Sequence, residues 1–384
     1  MQGLVEDLRA QLGELRETHI SWVFLGETRV LKVKKPVDFG FLDFRTLAAR
    51  KVACDAELLL NRRLAPDVYL QVLPIHRDAT GVHRIGGTGE LVDWAVEMQR
   101  LPDEDGCDRR LAAGRLTRAQ LVAVGERLAH FHAQARSDAN TERFGAPETI
   151  LGNVRENFEQ TQDSAPMHLS SAQLKDLQSY QLRFLEAQRE RLERRVAMHR
   201  VRDGHGDLRL EHVYIGDDGV IRVIDCIEFN ERFRYADVCA DLAFLTMDLR
   251  WHERADLAET LLAAYARESN DFDLYRLVDF YESYRAYVRA KVESFVERDA
   301  SASQATRERA AAQARKHYLL ALASARPALQ VPFLCAVGGL IASGKSTLAE
   351  QLGAELCVPI VDADRTRKHL AHVQPTERLE TAQF

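Results

Sequence analysis

With 384 residues, 46% hydrophobic and 29% charged, the chain is large enough for about two or three folded domains and is not a disordered protein. A formal net charge of −6 gives no basic footprint, which argues against nucleic acid as a partner and suits a neutral or cationic small substrate. The start, Met1-Gln-Gly-Leu-Val-Glu-Asp7, lacks the basic and apolar regions of a signal peptide; the longest nearly apolar run, 331–342, is too short to span a bilayer; six cysteines without paired spacing read as reduced thiols of a cytoplasmic protein.

In chain order, Leu4, Leu8, Leu12 and Leu15 share one face of an amphipathic helix over 4–16. Residues 21–25 and 29–34 then read as a hairpin around Gly26-Glu-Thr28, and strand alternation places Lys32 and Lys34 on the face of Val30. Either these lysines are directed at something, or they keep an exposed edge strand from aggregating. A helix over 43–64, stopped by Pro66, carries Glu57 among Cys54, Leu58, Asn61 and Leu64. Strands follow at 68–75 and 91–98, and the second leaves through Gln99-Arg-Leu101-Pro102.

From Thr117 the pattern turns helical. Thr117-Arg-Ala-Gln120 is a capping box ahead of Leu121, Val124, Leu128 and Phe131. His130 and His132, at i and i+2, point apart on a helix and read as packing residues, not a metal pair. One long helix is expected over 171–199, its Arg189–Arg195 stretch alternating in sign as a solvated face. Further helices are expected over 257–266, 274–292 and 304–325.

Between these helical regions lies His205-Gly-Asp207-Leu-Arg-Leu-Glu-His212, followed by strands over 212–215 and 220–224 around Gly216-Asp-Asp-Gly219, and then Asp225-Cys-Ile-Glu228. A hairpin brings its ends together, so Asp207 and Asp225 flank one small space. Two carboxylates so placed suit phosphoryl transfer: one accepts a hydroxyl proton, the other holds Mg2+ on a triphosphate.

This order of residues resembles the catalytic core of the aminoglycoside phosphotransferase family, small-molecule kinases with a protein-kinase-like fold. The resemblance implies an α+β, two-lobed fold, with a lobe over 1–100 and a mainly helical lobe over 101–326. It also implies that Asp207, with His205, is catalytic and that Asp225 is the main metal ligand. Lys32 paired with Glu57 would set the ATP phosphates, Lys34 and Asp55 being the alternates, and Gln99 and Leu101 would meet the adenine at a hinge. His212 stands where the family usually carries Asn in the magnesium site. Because imidazole is a softer ligand, Mg2+ would rest on Asp225 with His212 or Glu228.

A second phosphate signature follows a linker over 325–330 and a buried-strand pattern over 332–337. Gly339-Leu-Ile-Ala-Ser-Gly344-Lys345-Ser346-Thr347 opens an amphipathic helix, so backbone N–H groups would face phosphate, Lys345 the terminal phosphates and Ser346 the magnesium. The stretch over 358–370, with Asp362, Asp364 and Arg367, resembles the second strand and substrate-facing residues of small P-loop kinases. Residues 331–384 are therefore expected to begin an α/β P-loop nucleotide-binding domain and to stop short of completing it. The whole arrangement resembles bacterial fusions of the two domain types. Taken together, the sequence reads as an ATP-dependent phosphotransferase acting on a hydroxyl of a small molecule. The alternative is a nucleotide-binding regulator with a degenerate kinase domain and a P-loop switch.

Overall fold

The computed structural model describes residues 2–40, 42–326, 333–371 and 373. The linker beyond Arg326, the start of the strand pattern at 331–332 and the C-terminal stretch 374–384 lie outside the described residues. The chain forms two compact units, Met1–Arg115 with Asp203–Tyr235, and Leu116–Arg202 with Ala236–Phe384.

In the first unit, helix α1 (Gln2–Leu12) stops earlier than its leucine spacing suggests. Gly13 takes φ 105°, a left-handed conformation that turns the chain and leads into strand β1 (Glu14–Glu17). Strands β2 (Ser21–Leu25), β3 (Arg29–Lys34), β4 (Tyr69–Arg77), β5 (His83–Ile85) and β6 (Glu90–Gln99) complete an antiparallel sheet in the order β1-β2-β3-β6-β4-β5. β3 is therefore central, and the exposed-edge reading of its lysines is overturned. Helix α2 (Leu47–Asn61) begins at Thr46, whose side chain accepts a hydrogen bond from the Ala49 N–H.

Alternation along β3 divides the work between its faces. Leu31 and Val33 join Leu4 and Leu8 of α1 in one core, while Val30 joins Cys54 of α2, Val96 and Met98 in another. Lys32 and Lys34 share the Val30 face and so point at α2. The hairpin later in this unit forms as β7 (Val213–Ile215) and β8 (Ile221–Val223), with Val213 opposite Val223 and Gly219 at φ 74° closing the turn.

The second unit is helical. The Thr117 capping box has both its bonds, Gln120 N–H to Thr117 Oγ1 at 3.2 Å and Thr117 N–H to Gln120 Oε1 at 2.9 Å. The helix expected over 171–199 is two helices, Ser171–Ala187 and Arg189–Ala197, broken where Gln188 adopts φ −104° and ψ 11°. Tyr287 and Tyr318 stack edge to face inside a core with Phe244 and Met247, and Tyr281 is also buried. Among the described residues no helix is long and apolar enough to cross a membrane.

Residues 333–339 form no strand, and Phe333 and Leu334 are exposed, which corrects the buried-strand expectation there. The stretch 358–362 is not a strand either. An isolated strand has no ladder partner, and among the described residues of this segment none is offered. Helix Lys345–Leu356 does form directly after the glycine loop.

Candidate active site

The candidate site lies wholly in the first unit. Because β3 runs through the sheet centre, its two lysines are desolvated and must find counter-charges. Lys32 Nζ lies 2.8 Å from Glu57 Oε1 and 2.5 Å from Asp225 Oδ1; Lys34 Nζ lies 2.5 Å from Glu57 Oε2 and also pairs with Glu228. Glu57 is thus shared, one oxygen to each lysine. Asp55 lies apart on the exposed side of α2, paired with Lys51.

Burial works against the charge on Lys32, but Asp225 and Glu57 outweigh it and hold its pKa well above the ordinary lysine value. For Asp225 the same opposition is resolved by Lys32 and then His212, which keep the carboxylate ionised well below its usual range. Glu228 differs: burial prevails over Lys34 and pushes its pKa above 4.5. The Asp225 side chain is 45% exposed, whereas those of Lys34 and Glu57 are 0% and that of Glu228 3%, so the cluster opens at the Asp225 end only.

Asp225 sits at φ 64°, a left-handed conformation that Asp tolerates better than most residues. Its N–H donates to the Tyr69 hydroxyl at 3.1 Å, and the next N–H, of Cys226, donates to Asn61 Oδ1 at 2.8 Å. Asn61 in turn donates to the Glu57 carbonyl at 2.9 Å, so one side chain ties α2 to the Asp225 loop. Strained backbone held by specific bonds is a recurring feature of working sites.

The Asp207 loop is built around two histidines. His205 is fully buried; its Nδ1 accepts from the Asp207 N–H at 3.4 Å, which leaves Nε2 to donate to the Ile224 carbonyl at 2.9 Å. Gly206, at φ 88°, has no room for a side chain, since a Cβ would meet the Phe233 carbonyl at 2.9 Å. His212 stands between the two aspartates: Nδ1 is 2.7 Å from the Asp207 carbonyl and 3.7 Å from Asp207 Oδ2, and Nε2 is 3.6 Å from Asp225 Oδ2. Arg209 grips Asp207 with Nε to Oδ1 at 3.0 Å and a terminal nitrogen to Oδ2 at 3.1 Å.

Arg209, Asn61 and Tyr69 were not singled out from the sequence as site residues. Signals for two of them are present in hindsight: Arg209 is a charge two positions from Asp207, and Asn61 is a polar residue one turn beyond Glu57 on the buried face of α2. Gln99 donates its N–H to the Val68 carbonyl at 2.7 Å and accepts from Arg29 on its side chain at 3.1 Å. Leu101 packs beside Val23, Leu25 and Ile224 against the core of Val30 and Met98.

The second phosphate signature lies in the other unit. Gly339 and Gly344 take φ 154° and 82°, and the Lys345 ammonium folds back onto the Leu340 carbonyl of its own loop. Ser346 and Thr347 lie in the first turn of the helix, and both are exposed.

The first unit thus brings together a sheet lysine paired with a helix carboxylate and two loop aspartates on either side of His212. The chain matches the model of the phosphotransferase enzyme family over residues 85–281, just over half its length, and it belongs to that family, with its protein-kinase-like fold. Uncharacterized proteins of Mycobacterium tuberculosis and Mycobacterium bovis are each 33% identical over 357 residues, which cover 93% of this chain and 68% of theirs. Among solved structures, a choline/ethanolamine kinase family protein from Mesorhizobium loti aligns with a TM-score of 0.46 at 12% identity, over 84% of this chain and 99% of that one. A choline kinase from Streptococcus pneumoniae aligns at 0.44 and 14%, over 83% and 99%.

Proposed function

We propose that the chain is an ATP-dependent small-molecule kinase that transfers a phosphoryl group to a hydroxyl. The observation that carries this reading is the grip of Lys32 on both Glu57 and Asp225 at the open end of a buried charge cluster. Lys32, fixed by Glu57, holds the phosphates. Val30, Met98 and Leu101, with Ile224, form the apolar wall for the base, the backbone at Gln99 and Leu101 lying at its edge. Asp207 takes the proton of the acceptor hydroxyl, and His205 positions it. In this reading residues 1–100 form the nucleotide lobe and 101–326 the remainder of the kinase-like domain.

The donor set suits a divalent cation, although among the described residues no three His, Cys, Asp or Glu side chains converge on one point. Asp225 and His212 would hold it, with phosphate oxygens completing the shell, and Glu228 would support it from behind Lys34. When bound, such an ion neutralises charge on the transferring phosphoryl group.

The glycine loop before Lys345 supports a second phosphate site; of the α/β P-loop domain expected over 331–384, the loop and the helix after it carry this reading, and no strand forms among the described residues there. Gly339 and Gly344 would expose backbone N–H groups there, with Lys345, Ser346 and Thr347 as side-chain donors.

Asp207→Asn should abolish phosphoryl transfer and leave nucleotide binding nearly unchanged. The measurement is a phosphorylation screen of sugars, amino alcohols and aminoglycosides, paired with calorimetric titration of a non-hydrolysable ATP analogue. A mutant that still phosphorylates the acceptor at the wild-type rate would remove Asp207 from its role.

One observation favours a second reading. Arg209 occupies both carboxylate oxygens of Asp207, and a carboxylate so held is a weaker proton acceptor, which would suit a centre that binds nucleotide without turnover. Tight analogue binding indifferent to divalent cations would favour this regulator, and strong cation dependence the kinase.

A further inference from the structure

We infer that Lys34 is a positioning residue of the nucleotide site: paired with Glu228, it anchors Glu57, and through Glu57 it sets Lys32 and helix α2 in their working places. This rests on the phosphotransferase reading of Lys32 and adds what the sealed half of the charge cluster does for it.

The two lysines stand two residues apart on one face of β3 and make matching pairs of contacts. Lys32 joins Glu57 Oε1 of α2 to Asp225, and Lys34 joins Glu57 Oε2 to Glu228, three residues further along the same loop. Access to water separates them. The Asp225 side chain is open, whereas those of Lys34, Glu57 and Glu228 are buried, and the buried ring of Phe44 lies 5.8 Å from the Lys34 ammonium. A phosphate can therefore replace Asp225 on Lys32, but it cannot reach Lys34.

Charge gives the sealed pair its task. Burial opposes ionisation of Glu57, but Lys32 and then Lys34 outweigh it and hold its pKa below the ordinary glutamate value. Without Lys34, Glu57 and Glu228 would both turn to Lys32, whose charge each of them already favours, and would compete with phosphate for it. With Lys34 in place, Lys32 keeps one acid as its support and one that it can exchange.

The anchor also sits on fixed backbone. β3 is paired on both sides, with Lys34 opposite Ser21 of β2 and Lys32 opposite Val96 of β6. Asn61 links α2 to the Cys226 N–H, and Arg63, just beyond the helix, donates to the Asp203 and Gly204 carbonyls at 2.8 Å each. Protein groups alone thus seat α2 against β3 and the Asp225 loop.

Calorimetric titration of the full chain with a non-hydrolysable ATP analogue tests this. Lys34→Met combined with Glu228→Gln removes one ammonium and one carboxylate together, so the net charge is unchanged. The pair of changes should weaken analogue binding roughly tenfold in the otherwise wild-type chain, and less than about twofold where Lys32 is already replaced by Met, because a residue that acts through Lys32 then has nothing to act on. Equal weakening in both backgrounds would mark a merely structural pair and overturn the inference, the kinase reading standing. If Lys32→Met alone leaves analogue binding unchanged, the reading of Lys32 falls and the inference with it. If the double variant does not fold, hydrogen exchange of the wild type decides: α2 amides should exchange within about twofold of the same rate with and without the analogue. A larger slowing on analogue binding would show that the nucleotide, and not Lys34, seats the helix.

Discussion

Each of the two units contains a cluster of buried charge, and the clusters differ in one respect that separates structure from function. In the second unit the side chains of Arg195, Asp237 and Asp271 are each 2% exposed. The guanidinium spends itself on both acids, at 2.5 and 2.8 Å to Asp237 and 2.8 and 2.9 Å to Asp271, and Asp237 also caps the helix Val238–Trp251. In the first unit two lysines share three acids, and Asp225 keeps 45% of its side chain open. A sealed, satisfied network can only hold elements in place. A network with one open edge can exchange a protein partner for a ligand.

The contrast is broken most directly at its two cations. Lys32→Met should lower phosphoryl transfer by roughly 10²–10³-fold, the scale of losing one preorganised electrostatic contact. Its stability should fall by less than that of the sealed cluster, because Asp225, the acid stripped of its lysine, keeps 45% of its side chain open to water. Arg195→Leu should do the reverse, costing about 3–5 kcal/mol through two stranded buried carboxylates, a large part of a typical domain's stability. Urea titrations of both variants decide it. If Lys32→Met melts as early as Arg195→Leu, the first cluster is structural as well.

A smaller effect of opposite sign separates the clusters by pH. Burial opposes ionisation of Asp271, but its hydrogen bonds to Arg195 win and hold its pKa below 3.8. A carboxylate depressed on folding stabilises above its unfolded pKa, and that contribution is lost as pH falls from 3.8 toward the folded value. Burial prevails at Glu228 and raises it above 4.5, so its contribution is present below 4.5 and is lost as pH rises through the folded value. Denaturation midpoints across pH should therefore show Glu228→Gln gaining on wild type toward neutrality, and Asp271→Asn losing most there. The same pH trend in both variants would contradict the distinction between the clusters.

Local signals made much of the scaffold legible. The alternation of 29–34 and the Gly26 turn foretold the β2 and β3 hairpin and put Lys32 and Lys34 on one face; the 216–219 turn foretold the β7 and β8 pair. What the sequence could not show was made by tertiary contact. Whether β3 was edge or centre depended on β6, which is remote in the chain. The sharing of Glu57 by both lysines depended on that burial, and the left-handed Asp225 on Tyr69 and Asn61. The glycine loop misled in a different way: its spacing implied a strand before it, yet a strand needs neighbours, and spacing carries no information about them.

That loop gives the smallest predicted effect and a final check on the comparison. Lys345 has the right neighbours in sequence but not the setting of Lys32: its ammonium rests on a carbonyl of its own loop, and among the described residues it pairs with no buried acid in the way Lys32 does. Lys345→Ala should change stability by less than about 0.5 kcal/mol and leave phosphoryl transfer within about twofold of wild type. It should, however, remove one equivalent of bound ATP analogue per chain if the loop takes phosphate. If instead Lys345→Ala stops transfer while Lys32→Met spares it, the chemistry belongs to the exposed loop, and openness backed by a buried charge cluster is not what marks the working site.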